Sequence, residues 1–327
     1  MRIITLSVLI LAIAACTPPP GEERPELVKS KETSKSVEVH QTSFAQKEFV
    51  ESLPIGEWTG EQFVLLGKPR MFQKHGYLLY DSPALSEATH QADPQIAHPN
   101  HRLKYDRFEW HIVAVKSVTA QQDGEFLVAF FDDSLGREIY AKSRKHVIEG
   151  IARLSDLDGA GQRWADATIY CRLRHITTFD ETASRYGTIP VSITEPLQVT
   201  EVRWGLSPLP PKPIWLVVVR QNGDTGFIPV NYSWTNILYE MRTEGLPWEK
   251  DIFEEDPREL FAWDDLYWQA IDEKKLLTHM TTQQVQMSWG KPTKATVEET
   301  ETGTITTYKY LGNKLVFKND TLVETYP

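Results

Sequence analysis

Cysteine is nearly absent: Cys16 and Cys171 are the only two in 327 residues, so no framework of disulfides can staple this fold and stability has to come from packing. Basic residues are in deficit, 35 Lys and Arg against 45 Asp and Glu. That balance excludes general nucleic-acid binding, because backbone recognition needs positive charge opposite the phosphates. Beyond residue 15 no apolar run reaches the roughly 20 residues that a membrane-spanning helix needs. Catalytic signatures are missing too: the chain has no phosphate-cradling glycine loop, no His-Glu-x-x-His and no Gly-x-Ser-x-Gly elbow. What the chain does have is aromatic bulk. With 10 Trp, 12 Tyr and 13 Phe it can build sizeable cores, and its length suits two or three domains.

The first residues carry an address. Met1-Arg2, the apolar run Ile3 to Ala12 and the small residues after it are the parts of a secretory signal peptide, predicted over residues 1–15. Ile13-Ala14-Ala15-Cys16 resembles the lipobox of bacterial lipoproteins, an aliphatic residue and two small ones before a cysteine. The resemblance implies that Cys16 becomes the first residue of the mature chain and carries lipid on its sulfur and amine. One acyl chain binds a membrane marginally, at about 0.8 kcal/mol per buried methylene, whereas two or more hold it. Thr17-Pro18-Pro19-Pro20 stops any helix at that point. In enteric-type lipoproteins an aspartate after the cysteine implies retention in the inner membrane. Thr17 stands there instead, which implies the outer membrane. With Cys16 spent on lipid, Cys171 has no disulfide partner.

Residues 16–48 then read as the lipidated cysteine and a disordered tether, proline-rich and afterwards rich in Lys, Glu and Ser. About 30 such residues average on the order of 30 Å end to end and reach roughly 100 Å when extended. His40 falls in this tether and is expected to face solvent.

Folded sequence is expected from near Phe49, mainly β. Two stretches share a theme, one from Trp58 to about Lys142 and one from Trp164 to about Trp234. Each ends in a long apolar strand (Trp110 to Val115 leading to Glu125 to Phe131; Leu197 to Val202 leading to Ile214 to Val219), a polar turn and a short strand entered through glycine. Asn222-Gly223 is a strong hairpin signal because such turns need positive φ. Only the first stretch carries a long polar insert, Asp81 to Arg107. The boundaries predicted are a β-rich domain at 49–155, a second β domain at 156–240 and a linker at 241–256. Gly226-Phe227-Ile228-Pro229-Val230 in the second stretch resembles the closing strand of bacterial Src-homology-3-like domains. That resemblance implies a five-stranded barrel whose aromatic groove binds extended peptides or wall fragments, with Trp204, Trp215, Phe227, Tyr232 and Trp234 as the candidate groove. The alternative is that these aromatics fill the barrel and that Leu209-Pro210-Pro211-Lys212-Pro213 stiffens a loop.

A helix is signposted after the linker: Asp256 as cap, Pro257 at the first position and Glu259 at the capping-box position. Leu260, Trp263, Tyr267, Ala270 and Ile271 give it one apolar face. Asp264, Asp265, Asp272 and Glu273 are read as its solvated face. Thr281 and Gln284 form a second capping box, Met280 and Val285 a hydrophobic staple across it, and Gly290 a stop. Three short strands are predicted beyond, Thr304 to Leu311, Lys314 to Phe317 and Thr321 to Glu324. This helix and meander, with Gly290-Lys291-Pro292 and Leu315-Val316-Phe317, resembles the BamE (SmpA/OmlA-like) lipoprotein domain, so 257–327 is expected to be α+β. His279 stands where that family usually has glycine. The family's namesake is an accessory of the machine that inserts outer-membrane barrels.

Candidates for chemistry are few. His98 and His101 flank Pro99, which prevents a shared helical face, and no second pair has metal-like spacing. Cys171 and His175 could be a thiol and a base, or an inert buried cysteine beside a strand histidine. No catalytic residue, cofactor or metal is expected. The chain reads as a non-enzymatic, outer-membrane-anchored periplasmic lipoprotein that binds another envelope protein or peptidoglycan, its oligomeric state open; the alternative is an envelope hydrolase that the β domain targets to wall material.

Overall fold

The computed structural model describes residues 52–83, 102–143, 146–207 and 212–327. The signal peptide, Cys16, the tether, His98, His101 and the prolines at 210 and 211 lie outside the described residues. Everything described belongs to one unit, His40–Pro327, and is mainly β, in three antiparallel sheets.

The first sheet contains β1 (Gln62–Leu65), β2 (Tyr77–Tyr80), β3 (Arg102–Leu103), β4 (Ile112–Ala120), β5 (Phe126–Asp132), β6 (Arg137–Ser143) and β7 (Ile151–Arg153), in the order β3-β2-β6-β5-β4-β1-β7. Single-turn helices α1 (Arg70–Gln73) and α2 (Tyr105–Phe108) interrupt it. The second sheet contains β8 (Thr168–Cys171), β9 (His175–Asp180), β10 (Arg185–Pro190), β11 (Pro196–Trp204), β12 (Ile214–Val219), β13 (Thr225–Val230) and β14 (Ile252–Phe253). Its order, β10-β9-β13-β12-β11-β8-β14, is the first order with every strand number raised by seven.

The likeness extends to backbone detail. Trp58 and Trp164 each precede their first strand by the same interval, and each carbonyl accepts from an amide three residues on, Glu61 at 2.9 Å and Ala167 at 3.0 Å. The carbonyls of Glu61 and Ala167 in turn accept from Val115 and Val199. Between them the chain passes through positive φ, at Gly60 in one unit and Asp166 in the other. A β-bulge sits at the middle residue of each long strand, Lys116 in β4 and Thr200 in β11. An extra residue there bends the strand. Its first three residues then pair with β1 or β8, while the rest, from Ala114 or Gln198 onward, follows β5 or β12.

Alternation fills the inside of each curl. Phe63, Leu65, Val113, Val115, Val128, Phe130 and Ile139 make one core, and Ile169, Cys171, Leu197, Val199, Leu216, Val218 and Ile228 make the other. Burial of each large side chain contributes about 1.5–3 kcal/mol. The connecting turns follow their sequence. Asp132 Oδ1 accepts from the amides of Ser134 and Leu135, and Asn222 Oδ1 from the amide of Asp224, with Gly223 at positive φ.

The boundaries differ from the expected ones in two places. Helix α3 (Leu154–Trp164) spans the join expected at residue 155. Its glycines obscure its apolar face, yet Ala160 and Trp164 are buried in the second core. The segment expected as a linker, 241–256, closes the second unit instead. Its β14 pairs with β8, and Leu246, Trp248 and Ile252 are buried in the core. Its charges hid this role because they are partnered inside the fold: Asp251, 1 % exposed, takes Lys212 at 2.5 Å, and the Arg172 guanidinium donates to the Glu249 carbonyl.

Helices α4 (Pro257–Phe261), α5 (Asp265–Asp272) and α6 (Thr282–Trp289) pack on a third sheet, a meander of β15 (Lys294–Thr300), β16 (Gly303–Tyr310), β17 (Asn313–Lys318) and β18 (Thr321–Tyr326). Both caps form as the sequence indicates. Asp256 accepts from the amide of Arg258, and Thr281 and Gln284 complete the reciprocal box with Met280 and Val285 fully buried beneath it. The single long helix expected after Asp256 is instead two, broken where Ala262 adopts positive φ. The break stacks Phe261 on Trp263 and brings both against Trp268. Four strands replace the three expected. β15 was missed because Val297 is its only large apolar residue.

The parts are pinned together. Trp204 of the second unit covers Val64, Leu66 and Ala152 on the first. Asn236 accepts from the Ile148 amide at 2.7 Å and donates to the carbonyls of Ile148 and Ile151 at 2.9 Å each, so a side chain substitutes for a missing strand edge. Ile193, from the turn before β11, is buried in the C-terminal core. Asp272 is not on a solvated face as expected: its carboxylate accepts from the Ile193 amide and the Ser192 hydroxyl.

Helix α3 supplies a paired test of this packing. A methyl at Gly159 would lie 2.4 Å from the Tyr232 ring, whereas Gly161 faces open space. Gly161→Ala should raise stability by up to about 1 kcal/mol through helix propensity. Gly159→Ala should lower it by about 1–3 kcal/mol through overpacking. Chemical denaturation of the two variants reads both signs.

Candidate functional site

The five aromatics expected to line a groove are distributed over the second unit. Trp204 lies on the junction with the first unit. Tyr232 stacks on Trp248 at 5.4 Å and meets Trp164 edge-on, beside the core. Trp234 is buried, its indole N–H donating to the Gly245 carbonyl with Lys250 over its ring. Only Trp215 and Phe227 come together. Strand alternation explains the separation: Ile214, Leu216 and Val218 point into the curl, so Trp215 points out, and Phe227 on β13 lies directly across from Val217.

Trp215 and Phe227 stack in parallel on that outer face, centroids 3.8 Å apart. The β9–β10 hairpin brings Phe179 and Tyr186 against them, at 6.3 Å and 6.4 Å from the Trp215 ring. Gly205 is required here, because a Cβ at that position would lie 2.2 Å from the indole nitrogen. The Arg203 guanidinium stands 5.6 Å over the same ring. Trp215 and Phe227 are thereby covered, 4 % and 5 % exposed, while Phe179 and Tyr186 stay half-buried and form the accessible rim. The Tyr186 hydroxyl is buried without a hydrogen-bond partner among the described residues, and its pKa is raised by burial. Phe179, Tyr186 and Arg203 were not singled out from sequence; the signal that could have found them is the pair of aromatic residues flanking the turn at residues 181–184.

Side chains with catalytic potential are arranged structurally. The Cys171 thiol donates to the backbone carbonyl of His175, not to its ring, and burial pushes its pKa up to about 11. The His175 ring bonds the Leu173 carbonyl. His111, Asp132 and Ser134 carry the residue types of a hydrolytic triad. However, both Asp132 Oδ2 and the Ser134 hydroxyl meet the same ring nitrogen, Nδ1, at 2.8 Å and 3.2 Å. A triad needs the nucleophile on one ring nitrogen and the acid on the other, so this cluster holds the β5–β6 turn. Burial works against the Asp132 carboxylate, but bonds from His111, Ser134 and the Leu135 amide outweigh it and hold its pKa below the ordinary value. Among the described residues no three His, Cys, Asp or Glu side chains are placed to hold a metal ion. No helix there is long and apolar enough to cross a membrane.

The junction between the β units holds one charge under tension. Asp156 is 6 % exposed and accepts from the Ser233 hydroxyl at 2.7 Å; its nearest cation, Arg153, is 3.9 Å away and committed to Glu61 at 2.7 Å. Ser233 Oγ also takes the Thr235 amide, and Thr235 Oγ1 takes the Leu53 amide. Beside this network a cavity of about 220 Å³ is lined by Gly60, Glu61, Gln62, Leu154, Ser155 and Asp158.

Comparison of the chain with protein-family models, curated proteins and solved structures finds no match. The geometry therefore has to carry the functional reading.

Burial raises the Asp156 pKa from 3.8 to about 6, against the lowering influence of Ser233 and Arg153. The folded state then holds the proton more tightly than the unfolded state. The resulting stabilisation is complete below the unfolded value and is lost as pH rises through about 6. Between about pH 7.5 and pH 4 the wild type should gain roughly 2–3 kcal/mol relative to Asp156→Asn. Melts of both proteins across that range measure the difference, which would stay constant if the carboxylate were solvated.

Proposed function

We propose that this chain is a lipid-anchored envelope lipoprotein, held in the outer membrane through Cys16 and facing the periplasm, which acts as a non-enzymatic binding or assembly module. Each β unit is, in this reading, an Src-homology-3-like barrel, and residues 257–327 are a BamE-like end. Support for the barrels comes from the shared strand order and from Gly226-Phe227-Ile228-Pro229-Val230 lying where β13 joins β12 to β9. Support for the C-terminal likeness comes from the capped α6 followed directly by a meander. The second β unit departs from a five-stranded barrel in having seven strands. The C-terminal part departs from a small BamE-like domain in adding α4, α5 and β15.

The observation that carries the binding role is the outward aromatic cluster of Phe179, Tyr186, Trp215 and Phe227. Outward positions on a sheet are ordinarily polar, whereas here Phe179 and Tyr186, half-buried on top of Trp215 and Phe227, present an aromatic surface to an extended partner. Another envelope protein, or the stem peptides of peptidoglycan, would lie across these rings as an extended chain.

Crosslinking in intact cells followed by membrane fractionation tests the placement and the partner together. Wild type should be recovered with the outer membrane, crosslinked to wall or barrel-assembly components. Cys16→Ala should lose that fraction, and Tyr186→Ala should keep the fraction and lose the crosslinks. Solubility of both wild type and Cys16→Ala would sink the lipoprotein reading, and unchanged crosslinks in Tyr186→Ala would sink the aromatic site.

A further inference from the structure

Sheet edges are hazards that proteins shorten, bend or cap with proline. Among the described residues the first sheet ends in β3 and β7, of two and three residues, and the second in β14, of two, and β10, which terminates in Pro190. In the third sheet β18 pairs with β17 through a register irregularity at Val316 and Phe317. β15 has none of these protections. It runs seven residues in unbroken register with β16, from Lys294 opposite Lys309 to Thr300 opposite Gly303. Every residue on it but Val297 is exposed. Its free edge is the longest straight one described.

The charges on that sheet are one-sided. Lys294, Lys309 and Lys314 stand directly opposite one another across three strands, with no acid in the row, which ends at Tyr326. Like charges in directly opposite positions are unfavourable. Among the described residues, relief comes from the Lys314 ammonium over the Tyr326 ring at 5.4 Å. The acids collect at the other end of β15, at Glu298, Glu299 and Glu301.

We propose that β15 is a homodimer interface, pairing antiparallel with β15 of a second copy about a two-fold axis through Val297. This goes beyond the envelope-binding reading and does not rest on it. The register is self-complementary: Val297 meets its own mate, Thr296 lies opposite Glu298 of the second copy, and Lys294 lies opposite its Thr300. Lys294 and the second copy's Glu298 then share a face as diagonal neighbours, about 7–8 Å apart along the backbone and within reach of long side chains. The symmetry makes that pair twice, and each one places an acid beside a lysine row that lacks one. The two four-stranded meanders become one eight-stranded sheet.

The test uses the full chain carrying Cys16→Ser, so that lipid plays no part in association. Sedimentation equilibrium should show a reversible monomer–dimer system. Lys294→Glu should weaken the dimer about tenfold or more, since two attractive pairs become repulsive. Lys294→Glu combined with Glu298→Lys should restore it. Val297→Cys should give a covalent dimer on oxidation that the parent protein, with Cys171 buried, does not give. Circular dichroism and thermal melts show that each variant is folded. A monomer at every accessible concentration, a dimer indifferent to Lys294→Glu, or a Val297→Cys protein that fails to crosslink would each overturn the proposal.

Discussion

The structure depends on a constraint that one long strand must meet in each β unit. β4 and β11 have to pair on one side with a short strand and on the other with a long one while the sheet curls. A flat strand of nine residues cannot do both. The bulges at Lys116 and Thr200 solve the problem in the same way, at the same place. They also fix which side chains of β4 and β11 point inward on either side of the bend, Val113 and Val115 in one core and Leu197 and Val199 in the other. Two units sharing strand order, bulge, leading tryptophan and positive-φ turn are most simply one plan used twice. The first has acquired a long insert and the second a long return to its closing strand.

What joins the parts is polar chemistry built around a few buried groups. Arg174 enters through positive φ just before β9, and its guanidinium donates to the carbonyls of Ile271 and Ser288, the last turns of α5 and α6. A cation at two helix C-termini satisfies orphan acceptors and opposes both dipoles. Burial nevertheless lowers the Arg174 pKa, with Asp272 working in the other direction. Asp272 returns the contact by holding the turn at Ser192 and Ile193. Removing either side chain leaves its backbone partners unsatisfied, so these two sets of bonds tie the second unit to the C-terminal part from both sides.

Features with local causes were legible in the sequence. Asp256-Pro257, Thr281 with Gln284, the Asn222-Gly223 hairpin and the alternation of Ile214 to Val219 each determine their own geometry through neighbouring residues. The leading tryptophans were legible as the start of each theme. The misses have a common physical origin in partners distant along the chain. Residues 241–256 look like a linker until Lys212 and Arg172 are seen beside Asp251, and Asp272 looks solvated until the turn at Ser192 is placed against it. β15 is exposed, so it writes no apolar periodicity. The groove was half legible: chemistry selected Trp215 and Phe227, but only the register showed that Trp204, Tyr232 and Trp234 face elsewhere and that Phe179 and Tyr186 complete the surface.

The central structural claim is that residues 246–253 belong to the second core and that the C-terminal part is pinned to it through Arg174. Native-state hydrogen exchange on the full chain, read by mass spectrometry of peptides, addresses both at once. The account predicts that amides of 246–253, of β12 and of α6 exchange in one slow cooperative class. Fast exchange across 246–253, as in a linker, or a C-terminal part that opens independently of β12, would contradict it.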